Sequence, residues 1–490
     1  MPLLLAKTTA LISMSVAIVL GVLAMGEPSD ASSATPSTVS ATREQPRRPA
    51  TPPQRLTKEQ AAEDLFDWQR RLYEVHPDPE RRLTKDELSA EIDEAIGHFP
   101  ASMSRSVFYV MAAGLAARLG DSHTTLLHPE ELASIRLPLL VEDGELCLTS
   151  PVGDLPAGSC LQRVGRYPSS KIVPWARRLV SAETQVGLDR GVPRALPALG
   201  LALGLGSPWS IEGTTPNGDV VRAHLGLSDN PPPKMAAMEL HMMPGSIAVL
   251  TVRTFAAEYG RTLLDAFDEH FEWLERQPVR GLVVDLRNND GGSTIVADAL
   301  LGHITQRPYR MLAMKHWKVS EPMREHLREL GPASSAYFDA EIGDDLLQQI
   351  QPTPPAKARH RFDGPVAFLI GPGTLSAAMM LADAIHEYEL GLLVGEPTSS
   401  PPTYFGEIYT YAMPHSGLTA TISSAAFLRA SGDPRQPGPV EPHLRVDERL
   451  ADTIAGRDPT LETALEALRS DDAAPQLDGA GYRDGVLALR

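Results

Sequence analysis

The sequence predicts an α/β protein with a mostly parallel sheet, and two features of its second half carry that reading. IAVLTV (Ile247–Val252), GLVVDL (Gly281–Leu286), VAFLIG (Val366–Gly371) and GLLVGE (Gly391–Glu396) are short apolar runs of buried-strand length. Helical patterns alternate with them: one with Leu264, Phe267, Phe271 and Leu274 on a single face, one from about Thr294 and one from about Ser376. Such alternation gives βα units, whose loops at the strand C-terminal ends carry chemistry. The first half reads differently, as a helical module followed by a β-rich segment.

From its start, the chain holds an uncharged, mostly apolar run, Ala10–Gly26, behind Lys7. It reads as the core of a secretory signal or as a short anchor, since roughly 17 residues is near the lower limit for spanning a bilayer. Either reading predicts an exported protein, periplasmic or extracellular, that meets a membrane only through residues 1–26. Residues 27–56 are rich in Ser, Thr, Pro and Ala, which marks a disordered tether. Residues 57–133 form the helical module. Thr57 with Gln60 and Thr84 with Glu87 have capping-box spacing. The first helix sets Leu65, Phe66, Trp68 and Leu72 on its apolar positions and stops before Pro77; a third runs from about Arg105 to Leu119.

Residues 134–235 hold short strands and turns and read as mainly β. Cys147 and Cys160, the chain's two cysteines, flank a Pro/Gly turn signal and form either a cross-hairpin disulfide or two buried thiols. Residues 236–450 are the α/β core. Within it, about 306–361 is a polar excursion, forming either a rim over the site or plain surface. Residues 451–490 begin as the helix TLETALEALRS and trail into a Gly/Asp-rich tail.

Composition narrows the function. Hydrophobic residues at 42% supply a sizeable core, and a net charge of −17 argues against nucleic acid or anionic lipid as the main partner. There is no CxxC pair, HExxH or GxSxG, and AAMELHMM around His241 reads as a Met-rich core edge. Three segments hold candidate chemistry. DLRNNDGG (Asp285–Gly292) leaves a strand into a glycine pair able to expose backbone N–H groups, or is simply a tight turn. GPGTLSAAMMLADAI (Gly371–Ile385) puts Ser376 at a helix start, where it serves as a nucleophile or as an ordinary N-cap. LGDSHTTL (Leu119–Leu126) places His123 in a polar turn.

Taken together and in order, these segments resemble peptidase family S41, the tail-specific and C-terminal-processing proteases, in its tricorn-like serine–histidine branch. LYEVHPDP, LGDSHTTL, DLRNNDGG, GTLSAAMMLA, LVGEPTSSPPTYFGE, MPHSGLT and GPVEPH carry the resemblance, which runs from about Leu56 to Val446. It implies a crotonase- or ClpP-like core with a helical module and a degenerate PDZ-like part at LPAGSCLQRVGRYPSSKI. It further implies a polypeptide substrate, no metal or organic cofactor, Ser376 as nucleophile and His123 as general base. Gly291 or Gly292 with the Ala377 N–H then form the oxyanion hole, and Ser122 assists the histidine.

Three departures stand out. No lysine follows Lys357, which excludes the Ser–Lys dyad of processing proteases. Gln436 falls where the tricorn-like branch has a glutamate, with Asp433 and Glu441 as nearby acids. An amide orients an imidazole without stabilising imidazolium. His443 replaces an aspartate, and Pro401–Pro402 replace small residues. The second reading is therefore a weakened or inactive S41-fold protein that binds a peptide or an apolar small molecule.

Overall fold

The computed structural model describes residues 55–227, 235–330, 335–435 and 438–469. The apolar N-terminal run, almost all of the tether, the Gly/Asp-rich tail and Gln436 lie outside them. Among the described residues, no helix is long and apolar enough to cross a membrane.

Strand β1 (Arg55–Thr57) leads into helices α1 (Lys58–Val75) and α2 (Lys85–His98); β2 (Ser102–Ser104) then pairs back on β1 and leads into α3 (Arg105–Ala117). Both capping boxes form, the Thr57 and Thr84 side chains each accepting from the third helical N–H while Gln60 and Glu87 reach back. Helix α1 buries Leu65, Trp68 and Leu72. Phe66 is the exception at 48% exposed, because one residue turns the helix by about 100° away from the core.

After β3 (Thr125–Leu126) and the single turn α4 (Glu130–Ala133), the chain builds a sheet with its own core. Its strands are β4 (Leu139–Glu142), β5 (Glu145–Leu148), β6 (Cys160–Val164), β7 (Tyr167–Pro168), β8 (Trp209–Thr214) and β9 (Val220–Leu225). The order β4-β5-β6-β8-β9 leaves β4 on an edge. Cys147 and Cys160 face each other across β5 and β6 and are joined in a disulfide. The expectation of a mainly β segment needs correction: α5 (Ser169–Arg177) and α6 (Gln185–Ala202) lie inside it. Pro193 and Pro197 disguise α6, since interior prolines normally interrupt a helix. Burial of Val192, Ala195, Leu196 and Leu199 in this core overrides that signal.

The main sheet has the order β10-β11-β12-β15-β16-β19. Its strands are β10 (Met238–Met243), β11 (Ile247–Val252), β12 (Gly281–Asp285), β15 (Val366–Ile370), β16 (Leu392–Gly395) and β19 (Leu444–Arg445). All neighbours are parallel except the β10–β11 pair. Alternation along β11 divides its faces. Ala248 and Leu250 join the large core with helices α7 (Gly260–Glu275), α8 (Thr294–Gly302) and α11 (Ala377–Tyr388). Ile247 and Val249 meet Ala464 and Leu465 of the C-terminal helix Pro459–Arg469 on the other face. In α7 the core position is Leu263, with Leu264 half-buried beside it.

The polar excursion is neither a rim nor plain surface. It supplies β13 (Leu312–Lys318) and β14 (Asp345–Gln349), with helices α9 (Glu321–Leu330) and α10 (Ser335–Asp339) between them. These strands join β17 (Tyr404–Ala412) and β18 (Thr419–Arg429) in a second sheet of order β14-β13-β18-β17, with β3 on β18. Through β3, this sheet holds the His123 turn beside the start of β17.

Candidate active site

The turn after β12 is locked by one buried side chain. The Asn289 amide donates to Val252 O at 3.0 Å, and its Oδ1 accepts from the Gly291 N–H at 2.9 Å. Its backbone carbonyl accepts from Leu375 N at 3.0 Å, tying this turn to the one before α11. Gly291 sits at φ 86°, and a Cβ there would lie 2.5 Å from Leu375 O and 2.7 Å from Ser376 Cβ. No other residue type fits. The Gly291 N–H is thus engaged, whereas the N–H groups of Gly292 and Ala377 have no partner among the described residues.

Ser376 occupies the N-cap position of α11, yet its side chain makes no capping bond. Its backbone is at φ 50° and ψ −122°, a region costly for any residue with a Cβ. An ordinary capping serine adopts extended dihedrals and bonds the next turn, so the capping reading fails at this position. The hydroxyl is left without a bond to the helix that follows. Tyr404, fully buried at the start of β17, lies against it. Burial raises the Tyr404 hydroxyl's pKa, and the neighbouring Ser376 hydroxyl partly offsets this.

The His123 ring packs on the same tyrosine, with centroids 5.5 Å apart. Ser376 and His123 therefore meet at Tyr404, and no direct hydrogen bond joins them. The His123 turn is fixed by Asp121, which is buried and accepts from His123 N at 3.0 Å, Ser423 Oγ at 2.7 Å, Thr124 Oγ1 and His76 Nε2 at 3.2 Å. The Asp78 N–H donates to His76 Nδ1, so Nε2 carries that ring's proton. Burial alone would push the Asp121 carboxyl up, but His76, His123 and Thr124 hold it below its ordinary value.

Beyond His123 stands a carboxylate that sequence reasoning missed. Ser122 Oγ lies 3.2 Å from His123 Nδ1 and donates to Glu183 Oε1 at 2.9 Å, as does the Ser122 N–H. Ser400 Oγ donates to Glu183 Oε2 at 3.0 Å. With its proton committed to Glu183, the Ser122 oxygen accepts from Nδ1–H, which leaves Nε2 as the basic nitrogen of His123. The N-terminus of α6 brings Glu183 here, because its cap Thr184 bonds the Ser399 carbonyl.

The loop holding Pro401–Pro402, in the stretch where a dyad lysine would lie, is therefore a buried support for Glu183. Thr398 ties it down through paired bonds with Val440. His443 stands apart from the site, accepting from Leu393 N and stacking on His386. Polar atoms of Asp121, His123 and Glu183 lie within 4.8 Å of one another, a grouping that suits a metal ion. Both carboxylates already accept three or more protein donors, so hydrogen bonding accounts for the arrangement.

Residues 246–446 match the sequence model of peptidase family S41. A curated relative, the carboxy-terminal processing protease CtpA of Bacillus subtilis (strain 168), is 21% identical over 351 residues, covering 68% of this chain. The chain spans 62% of that relative's length. Among solved structures, mature CPAF superposes with a TM-score of 0.61 at 14% identity, over 84% of this chain and 97% of that one. Mature CPAF complexed with lactacystin gives 0.59 at 14% identity, over 84% of this chain and 98% of that one. These likenesses establish a shared fold.

Proposed function

We propose, from the match of residues 246–446 to peptidase family S41, that the chain is an exported serine peptidase hydrolysing polypeptides through an acyl-enzyme. The observation that carries the reading is the Ser376 backbone: a strained, uncapped serine beside two N–H groups that have no partner among the described residues, on the tyrosine that His123 also packs against. Strain of this kind persists only where surrounding structure holds it, and it collects at active sites.

In this reading Ser376 Oγ attacks the substrate carbonyl while His123 Nε2 takes its proton. The developing oxyanion is met by the Gly292 and Ala377 N–H groups, the latter at the positive end of α11. Gly291 contributes space rather than a donor. His123 then returns the proton to the leaving amine. Water, deprotonated by the same nitrogen, splits the ester and frees Ser376. Ser122 and Glu183 hold the imidazole's tautomer, and the Glu183 charge stabilises imidazolium, the role for which Gln436 lacks a carboxylate. Export rests on the apolar run Ala10–Gly26, and the edge strand β4 offers an extended substrate a partner for strand addition.

The test is cleavage of an unstructured protein such as casein by the full chain beside Ser376→Ala and His123→Ala. Both variants are expected to lose at least about 10³-fold in rate. Inactivity of the parent chain would return it to the reading of a binding protein on a peptidase fold.

A further inference from the structure

A cleft of about 1190 Å³ opens beside the site, reaching from Asn288 and the Gly371–Gly373 turn to the edge strand β4. Most of its acids are matched by arginines. Arg449 pairs with Asp143 at 3.0 Å, Arg445 with Asp447 at 2.9 Å, Arg177 with Asp189 at 2.6 Å, and Arg287 with Glu448. Three arginines on the cleft wall are not so matched. Among the described residues, Arg136 donates only to the backbone carbonyls of Ala133 and Ile135. Arg190 reaches Asp290 at 3.4 Å, with both groups open to solvent, a pairing worth little. Arg194 has no hydrogen bond or ion pair among the described residues; burial and the positive charge of Arg136 act against its own charge, with smaller opposing effects from Tyr109 and Asp290.

Like charges crowded on a concave wall cost free energy that an anion relieves, and a guanidinium matches a carboxylate bidentately. The position is also suited to a substrate. Arg190 Nη2 lies 3.3 Å from the Cβ position of Gly373, three residues before Ser376. Three residues of chain reach at most about 10 Å, the length of three extended residues of a bound peptide. We propose that Arg136, Arg190 and Arg194 form a subsite for an acidic side chain of the bound polypeptide, within about three residues of the scissile bond. The word substrate rests on the peptidase reading, but the subsite itself is testable without turnover.

The experiment measures fluorescence anisotropy of labelled ten-residue peptides with full-length Ser376→Ala protein. One set scans a single Glu against Gln along the peptide, and a second compares free with amidated C-termini. The expected result is one internal position at which replacing Glu by Gln weakens binding by about tenfold or more, whether the C-terminus is free or amidated. That preference disappears in Ser376→Ala/Arg194→Gln, is partly kept in Ser376→Ala/Arg194→Lys, and fades with added salt. Indifference to every Glu position, a preference for the free C-terminus alone, absence of binding by all peptides, or an undiminished preference in the Arg194→Gln background overturns the proposal. A carboxylate preference in a chain that cleaves nothing upholds the subsite while defeating the peptidase reading.

Discussion

Gly291 shows how little freedom the site allows at the scale of single residues. A methyl group there collides with backbone and with Ser376 Cβ, and φ 86° is unfavourable for alanine. Gly291→Ala is therefore expected to displace the nucleophile, cutting activity at least 10²-fold by order of magnitude, and to lower Tm as well. A variant with parental activity would mean that the turn does not set the serine's position. Ser376, His123 and the glycine turn could be singled out as candidates from the sequence because each sits in a short local motif. Glu183 was not, since it meets Ser122 from 61 residues along the chain. The one available hint was Thr184, which follows it and caps α6.

Elements differ in how openly they announce themselves. Capping boxes and apolar runs gave α1, α2 and the parallel strands, because the signal for each is local. Helix α6 and strands β13 and β14 were obscured, as each depends on partners distant in sequence. The second sheet depends on such a distant pair. Lys315 of β13 and Glu407 of β17 are both fully buried and form an ion pair, with Trp317 Nε1 donating to the same carboxylate at 2.6 Å, against a burial that pushes the Lys315 ammonium well below its ordinary pKa. Removing one partner strands a buried charge, so Lys315→Met alone is expected to cost about 3–5 kcal/mol in urea unfolding. A cost under about 1 kcal/mol would show that the pair is not charged in the folded protein.

For the whole molecule, pH tests how the units lean on one another. His128 lies between the helical module and α6, with the Tyr109 hydroxyl at 3.3 Å and Arg194 and Arg136 nearby. Burial first, and then those two arginines, push its pKa from 6.5 down to about 4. The unfolded chain thus binds more protons between these values. This contribution to stability is whole above pH 6.5 and lost as pH falls through the window. Glu396 runs the other way: burial, with Glu448 and Asp447, pushes it from 4.5 up to about 7. Its contribution is whole below pH 4.5 and lost as pH rises through 7. His128→Gln should therefore lose less stability than the parent on acidification from pH 7 to pH 4.5, and Glu396→Gln should lose more. Thermal unfolding at the two pH values reads both slopes, and equal slopes in all three proteins would contradict the assignments.

The central claim is that Ser376 is a nucleophile worked by His123, with Glu183 behind it. Intact-mass analysis after a fluorophosphonate probe tests it most directly. The account predicts one adduct on the parent chain, none on Ser376→Ala or His123→Ala over the same time, and labelling of Glu183→Gln slowed at least tenfold, by order of magnitude. An adduct that persists on Ser376→Ala, or equal labelling of the parent and Glu183→Gln, would contradict it.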